Sequence, residues 1–282
     1  MRNAVLAVCA LASGAAQATC LRFFGNGAGD YDRVKVRLDA PSMPVDVGAG
    51  AFTVEWWIRA ELSENTGVAQ YGGDGWIFGN IVIDRDVYGP GDFGDFGVSL
   101  SSGRVAFGVA TQAWGHTVIG SRPVCTGQWH HVAVQREAGG ELSVWVDGVL
   151  DVREAGPPGR VDYRDFRPTS WPLSDPFLVI GAEKHDAGAA FPSYSGKFAE
   201  MRVSSVARYS LPFRRPRSRF VPDSATAALY RCDEGAGSVL HDSSGAPGGP
   251  SDGEVRYGGS PFGPVWSPDG PPLLQTAGPR RP

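Results

Sequence analysis

Residues 52 to 59 alternate cleanly. Phe52, Val54, Trp56 and Ile58 fall on one side, and Thr53, Glu55, Trp57 and Arg59 on the other. A period of two marks a β-strand with one face turned to a core. Val105, Phe107 and Val109 repeat the pattern within Arg104 to Ala110. Residues 127 to 149 hold two more apolar runs, joined by Gly139-Gly140 and closing on Asp147-Gly148. Asp-Gly between apolar residues is a strong hairpin signal, because a type I′ turn needs positive φ at both central positions. Strands are also predicted over Leu21 to Phe24, Arg33 to Leu38, Trp76 to Ile83, Phe96 to Leu100, Phe177 to Ile180, Lys197 to Val203 and Ala227 to Tyr230. No window beyond the N-terminus has helical amphipathicity, and no tandem repeat is present. So many short strands separated by turn residues predict an all-β sandwich or barrel. Pro157 to Pro176 reads as a long loop whose Tyr163, Phe166 and Trp171 pack on the body of the domain.

Composition agrees with this picture and narrows the partners. The chain has 39 Gly and 22 Pro in 282 residues, as tight turns require. A net charge of −4 excludes nucleic acid as the main partner, since that needs a basic field. The short cluster Arg214, Arg215, Arg217 and Arg219 is Pro-interrupted and reads as a solvated connector. Arg2, the apolar run Ala4 to Ala12 and Ala16-Gln17-Ala18 make residues 1–18 a secretory signal, with Thr19 as the first mature residue. A secreted or extracytoplasmic protein is expected. Lipid anchoring at Cys20 is disfavoured, because Gln17 and Thr19 stand where lipoprotein signals carry Leu and a small residue. No segment is long and apolar enough to span a membrane. Cys9 leaves with the signal, and Cys20, Cys125 and Cys232 remain. An oxidising compartment allows one disulfide among them, and three pairings are open. Cys20 with Cys232 is the expected one. It would close the longest loop, worth about 4–5 kcal/mol in the chain-entropy model. No Cys/His spacing suggests zinc.

Several segments together resemble a known family. Phe52-Thr53-Val54-Glu55-Trp56-Trp57 is similar to the "FT-x-E-x-W" strand of laminin-G-like, concanavalin A-like jelly rolls. Gly127 to Val134 resembles their "G-x-WHHVAV" strand, and Val144 to Gly148 the "V-x-VDG" that follows it. Gly196 to Val203 resembles the closing strand "G-x-IDE-x-RI". Leu229 to Gly235, with Asp242 to Gly245, is similar to a "W-x-FDEG…DSSG" motif that more often precedes the domain. The resemblance covers roughly residues 20 to 266, and residues 267–282 read as an irregular tail. It implies a domain over residues 19–266 built as a two-sheet antiparallel β-sandwich with about six or seven strands per sheet. It also implies a secreted module that binds glycans, proteins or matrix. Some enzymes share the fold.

The candidate chemistry is sparse. His130 and His131 are neighbours on a strand and point to opposite faces, so they cannot share an ion without a bulge. Glu183, His185 and Asp186 form the best local concentration of acid/base groups, in a loop after the strand Phe177 to Ile180. The paired-acid strand of the fold's glycosidases is missing, and no motif gathers a lyase's Tyr, His and Arg. Asp84, Asp86, Asp92 and Asp95 cluster near Gly89 and Gly91, as a structural calcium would require, without the EF-hand spacing. The calcium site implied by the resemblance is altered here to Phe24 and Ala199, with Asp30, Asp32 and Glu200 as candidate replacements. Trp57, Trp76, Trp114 and Trp171 are candidate sugar platforms, weighed against ordinary packing. These observations predict a non-catalytic module for glycans or cell-surface glycoconjugates. The alternatives are a polysaccharide-degrading lyase or glycosidase, or a protein-binding adhesion module.

Overall fold

The computed structural model describes residues 19–39, 41–87, 94–165 and 167–273. Its strands are β1 (Cys20–Phe24), β2 (Arg33–Arg37), β3 (Phe52–Arg59), β4 (Asn80–Arg85), β5 (Asp95–Ser101), β6 (Arg104–Ala110), β7 (Gly115–Pro123) and β8 (His130–Arg136). They continue as β9 (Leu142–Val146), β10 (Val149–Glu154), β11 (Phe177–Ile180), β12 (Ser195–Ser204), β13 (Thr226–Tyr230), β14 (Val239–Leu240), β15 (Gly253–Arg256) and β16 (Val265–Ser267). Two antiparallel sheets of eight strands face each other. The first runs β10-β9-β8-β3-β12-β1-β16, with β13 also on β12, and the second runs β14-β15-β2-β11-β4-β5-β6-β7. The expected sandwich is therefore present, with one or two more strands per sheet than the resemblance implies.

The core lies between the sheets, on the alternating faces that the sequence marks. Phe52, Val54, Trp56 and Ile58 of β3 join one buried cluster with Phe96, Val98, Leu100, Val105, Phe107 and Val109 of β5 and β6. Phe52 and Phe96 pack with ring centroids 4.8 Å apart. The Asp147-Gly148 turn has φ of 51° and 82°, the left-handed geometry that a type I′ turn demands. The predicted strand Trp76 to Ile83 is split. Its start is a 3-10 turn, Gly75–Phe78, and β4 begins at Asn80.

The outer face of the first sheet corrects the reading of the Arg cluster. The segment after β12 lies across this face, and it is not a solvated connector. Arg215 donates to the Trp129 carbonyl at 2.7 Å, and its guanidinium sits 4.6 Å over the Trp57 ring. Arg219 is buried against Glu200 at 3.4 Å and Asp233 at 3.0 Å. Arg214 and Arg217 alone stay exposed. Beneath the strap, the Glu55 carboxylate accepts from His131 Nε2 at 3.0 Å, Arg202 Nε at 2.8 Å and Tyr209 Oη at 2.6 Å. His130 bonds Asp147 at 2.8 Å and Thr126 at 2.7 Å. The two histidines thus diverge as period-two geometry requires, and each is taken up by packing.

The expected Cys20–Cys232 bridge is not formed, and Cys20, Cys125 and Cys232 are all free, buried thiols. β1 and β13 meet end to end along the same edge of β12. Cys20 packs outward with Trp57, Trp129 and Ala199, whereas Cys232 packs into the inter-sheet core. Thr19 Oγ1 donates to the Cys232 carbonyl at 2.6 Å, so the two cysteines lie near each other with their side chains in different clusters. Residues 1–18, which carry the predicted signal, and 274–282 lie outside the described residues.

Candidate binding site at the loop after β11

Antiparallel pairing of β4 with β11 sets Asp84 opposite Val179 and Ile83 opposite Ile180. The C-terminal end of β4 therefore lies beside the segment that enters β11, and Asp86 comes near Asp175. After β11 the chain reverses at Gly181, at φ 99°, where an added Cβ would lie 2.5 Å from the Phe23 ring. Only glycine fits there without displacing the core. The reversal lays Glu183 to Asp186 back over the same sheet end. The Lys184 amide donates to Asp84 Oδ2 at 2.8 Å. Its buried ammonium donates to the carbonyls of Asp175 and Phe177, each at 3.0 Å.

His185 is the centre of the arrangement. Its Nε2 lies 2.6 Å from Asp175 Oδ1, and its Nδ1 lies 3.0 Å from Glu183 Oε1 and 3.4 Å from Asp86 Oδ1. Burial by itself would lower the imidazole pKa. The carboxylates of Asp175, Asp86 and Glu183 outweigh burial and push it up to about 12. For Asp86 burial works upward, and His185 with Lys184 brings its carboxyl down to about 2. Glu183 Oε2 accepts from the backbone amides of His185, at 2.7 Å, and Asp186. Beside the cluster opens a pocket of about 270 Å³ lined by Ile77, Asp86, Trp171, Glu183, His185, Asp186 and Phe191. Trp171 is 47% exposed and its ring lies 6.2 Å from the imidazole. A wider, more open groove of about 820 Å³ borders the far end of the same loop at Gly188 to Ser193. Its Arg22 and Glu64 already bind each other at 2.8 Å.

The structure merges two candidates that the sequence shows as separate. Glu183, His185, Asp186 and Trp171 share one pocket with Asp86. Asp84 supports that pocket without lining it, because its two oxygens accept the amides of Asp86 and Lys184. Asp95 stands apart: burial first, then repulsion from Asp86, raises its carboxyl to about 7. Asp92 lies outside the described residues. Asp30, Asp32 and Glu200 do not gather. Asp30 pairs with Lys35 and Arg256. Asp32 accepts the amides of Phe24 and Asn26, and Glu200 binds Arg219, Arg231 and the amide of Phe220.

The other tryptophans are elsewhere. Trp57 is covered by Arg215, and Trp76 is buried on the glycine pair Gly97 and Gly108 of β5 and β6. Trp114 is exposed beside His116, away from the pocket lining. The sequence reading missed Asp175, Ile77 and Phe191. Asp175 could have been found from its place just before β11, had the pairing with β4 been known.

Comparison with known proteins agrees with the fold. No curated protein sequence matches the chain. A Bacteroides ovatus protein described as a candidate carbohydrate-binding protein is similar in fold: TM-score 0.55, 16% identity, 88% of this chain and 61% of that one. The chain thus spans less than two thirds of that protein. Domains LG4-5 of the mouse laminin alpha1 chain align with TM-score 0.44 and 14% identity, over 78% of this chain and 51% of that one. A heptameric SAP-like pentraxin from Limulus polyphemus aligns with TM-score 0.42 and 14% identity, over 68% and 78%. Residues 28–210 match a laminin G-type family model, and the sandwich built around them continues from there through β16. By that match the chain belongs to the concanavalin A-like lectin/glucanases superfamily.

Proposed function

We propose that the protein is a non-catalytic carbohydrate-recognition module, exported by the signal in residues 1–18, with its ligand seated in the pocket beside His185. The observation that carries this reading is the pairing of surfaces in that pocket. Trp171, Phe191 and Ile77 offer an apolar wall, and Asp86, Glu183 and Asp186 offer acceptors. A pyranose presents the complement, an apolar face and a rim of hydroxyl donors. Ligand pockets span about 300–1,000 Å³. At about 270 Å³ this one suits a single sugar ring or a chain end. The description of the Bacteroides protein supports the same ligand class.

The arrangement argues against hydrolysis. A glycosidase needs one protonated carboxyl as general acid beside an ionised partner. Here Asp86 and Glu183 both lean on the His185 imidazole, and Asp86 is held ionised with a pKa of about 2. Asp186 is the lining carboxyl that is raised, by burial and by Glu183, but its side chain is hydrogen-bonded to Glu183 itself, closer than the separation of about 5 Å or more that a glycosidase pair keeps.

Glycan-array screening followed by titration with the best hit tests the proposal. Trp171→Ala, at an exposed position, should leave the melting temperature unchanged and weaken binding about tenfold, the equivalent of about 1.4 kcal/mol of stacking. Binding unaffected by Trp171→Ala would move the site elsewhere. Release of reducing ends or unsaturated uronates from any polysaccharide, abolished by His185→Ala, would replace recognition with catalysis.

A further inference from the structure

We propose that Asp86, Glu183 and His185 form a binding site for a first-row divalent transition metal, with zinc as the reference ion. Glu183 Oε1 and Asp86 Oδ1 lie 3.0 and 3.4 Å from His185 Nδ1, and all three ligand atoms fall within 4.8 Å of one another. Two donors each about 2.1 Å from a tetrahedral zinc sit about 3.4 Å apart. His185 Nδ1 therefore stands at ligand–ligand spacing from both carboxylates, and zinc would take the place of the proton that Nδ1 shares with them.

The surroundings hold each donor in a ligating pose. A metal-binding histidine characteristically gives its second ring N–H to a carboxylate, which fixes the ring and raises its basicity. Asp175 Oδ1 occupies that position, 2.6 Å from His185 Nε2. Thr169 in turn donates its hydroxyl to the other oxygen of Asp175. The amides of His185 and Asp186 hold Glu183 Oε2, which leaves Oε1 facing the cluster. Asp86 Oδ1 is a buried atom that accepts no hydrogen bond. The ammonium of Lys184 is turned to the carbonyls of Asp175 and Phe177 and does not fill the centre. On the remaining side lies the pocket, which supplies the open coordination position that catalytic and ligand-binding zinc sites keep.

The donor set selects the class of ion. Calcium takes six to eight oxygens at about 2.3–2.6 Å. One imidazole nitrogen with two carboxylates suits zinc and its neighbours in the first row. Of the four aspartates expected to hold calcium, Asp84 is engaged with backbone amides, Asp95 stands outside the cluster and Asp92 lies outside the described residues. Sequence spacing could not show the site, whose ligands come from positions 86, 183 and 185. The inference does not depend on the glycan reading, because it is tested with metal alone.

Isothermal titration of the EDTA-treated chain with zinc chloride should show one equivalent bound in the micromolar range or tighter. Asp175→Asn should weaken it 10–100-fold. His185→Gln and Asp86→Asn should abolish it. Circular dichroism must show both folded, and Asp86→Asn, at the more exposed ligand, serves if His185→Gln unfolds. Cobalt loading should give visible d–d bands in the wild-type chain that His185→Gln or Asp86→Asn removes. No zinc binding, binding indifferent to Asp86→Asn and Asp175→Asn, or a site that takes calcium in preference to zinc would each overturn the proposal.

Discussion

Glu55 organises the outer face of the first sheet, and acid should reveal it. The side chain is fully buried and receives His131, Arg202 and Tyr209. Burial alone would raise its pKa. The hydrogen bond from His131 and the charges of His131 and Arg202 overcome that and bring it from 4.5 to about 2. A folded-state pKa below the unfolded value gives stability that is fully present above about pH 4.5 and is lost as pH falls toward 2. At about 1.4 kcal/mol per unit the whole contribution is on the order of 3 kcal/mol, and about 2 kcal/mol of it is gone by pH 3. Glu55→Gln removes the charge and leaves Arg202 without its buried counter-ion. At pH 7 that should cost about 3–5 kcal/mol. The decisive measurement is urea unfolding of both proteins at pH 7 and pH 3. The gap between them should narrow by about 2 kcal/mol at the lower pH. A gap that stays constant would show that Glu55 is not held ionised by its partners, and the account of this network would fail.

Two further outcomes follow from the packing. Gly97 and Gly108 face each other across β5 and β6, and an added Cβ would lie 2.1 and 2.0 Å from atoms of the Trp76 ring. Gly108→Ala should therefore destabilise by about 1–3 kcal/mol by overpacking and shift the tryptophan emission, while glycan binding at the Trp171 pocket persists. The three thiols are buried, and burial pushes Cys20 up to about 11 and Cys125 up to about 12. Under native conditions all three should resist a thiol reagent and react on unfolding. The melting temperature should be the same with and without a reductant, and a drop in reductant would restore the disulfide.

Where one rule governs a whole segment, the sequence is legible. β3 and β6 show period two because one face meets the core, and Asp147-Gly148 needs no tertiary information to turn. The strands that escape have weaker local signals. β7 carries Gly, Ser, Arg and Pro, and β14 to β16 are two to four residues long within a Gly/Pro-rich stretch. Their pairing is tertiary: β15 forms on the exposed edge of β2, with Val255 opposite Val34. The strap misleads for a similar reason. Arginines between prolines look solvated until Trp57, Glu200 and Asp233 are known to lie beneath them.

The pocket shows how far local reading of chemistry can go. Glu183, His185 and Asp186 stand out because they are neighbours in sequence. Asp86 stands out for another reason, its company of aspartates. What joins them is the β4–β11 register, which sets Asp84 opposite Val179 and brings Asp175 to the far side of the imidazole. A one-residue slip in that register would turn Asp84 and Asp86 to the other face of the sheet, and the cluster would dissolve. The two amides bound by Asp84, one on each converging segment, are thus the clamp that makes a site from two unremarkable loops. Asp84 is the residue through which fold and site depend on each other, although neither sugar nor metal would touch it.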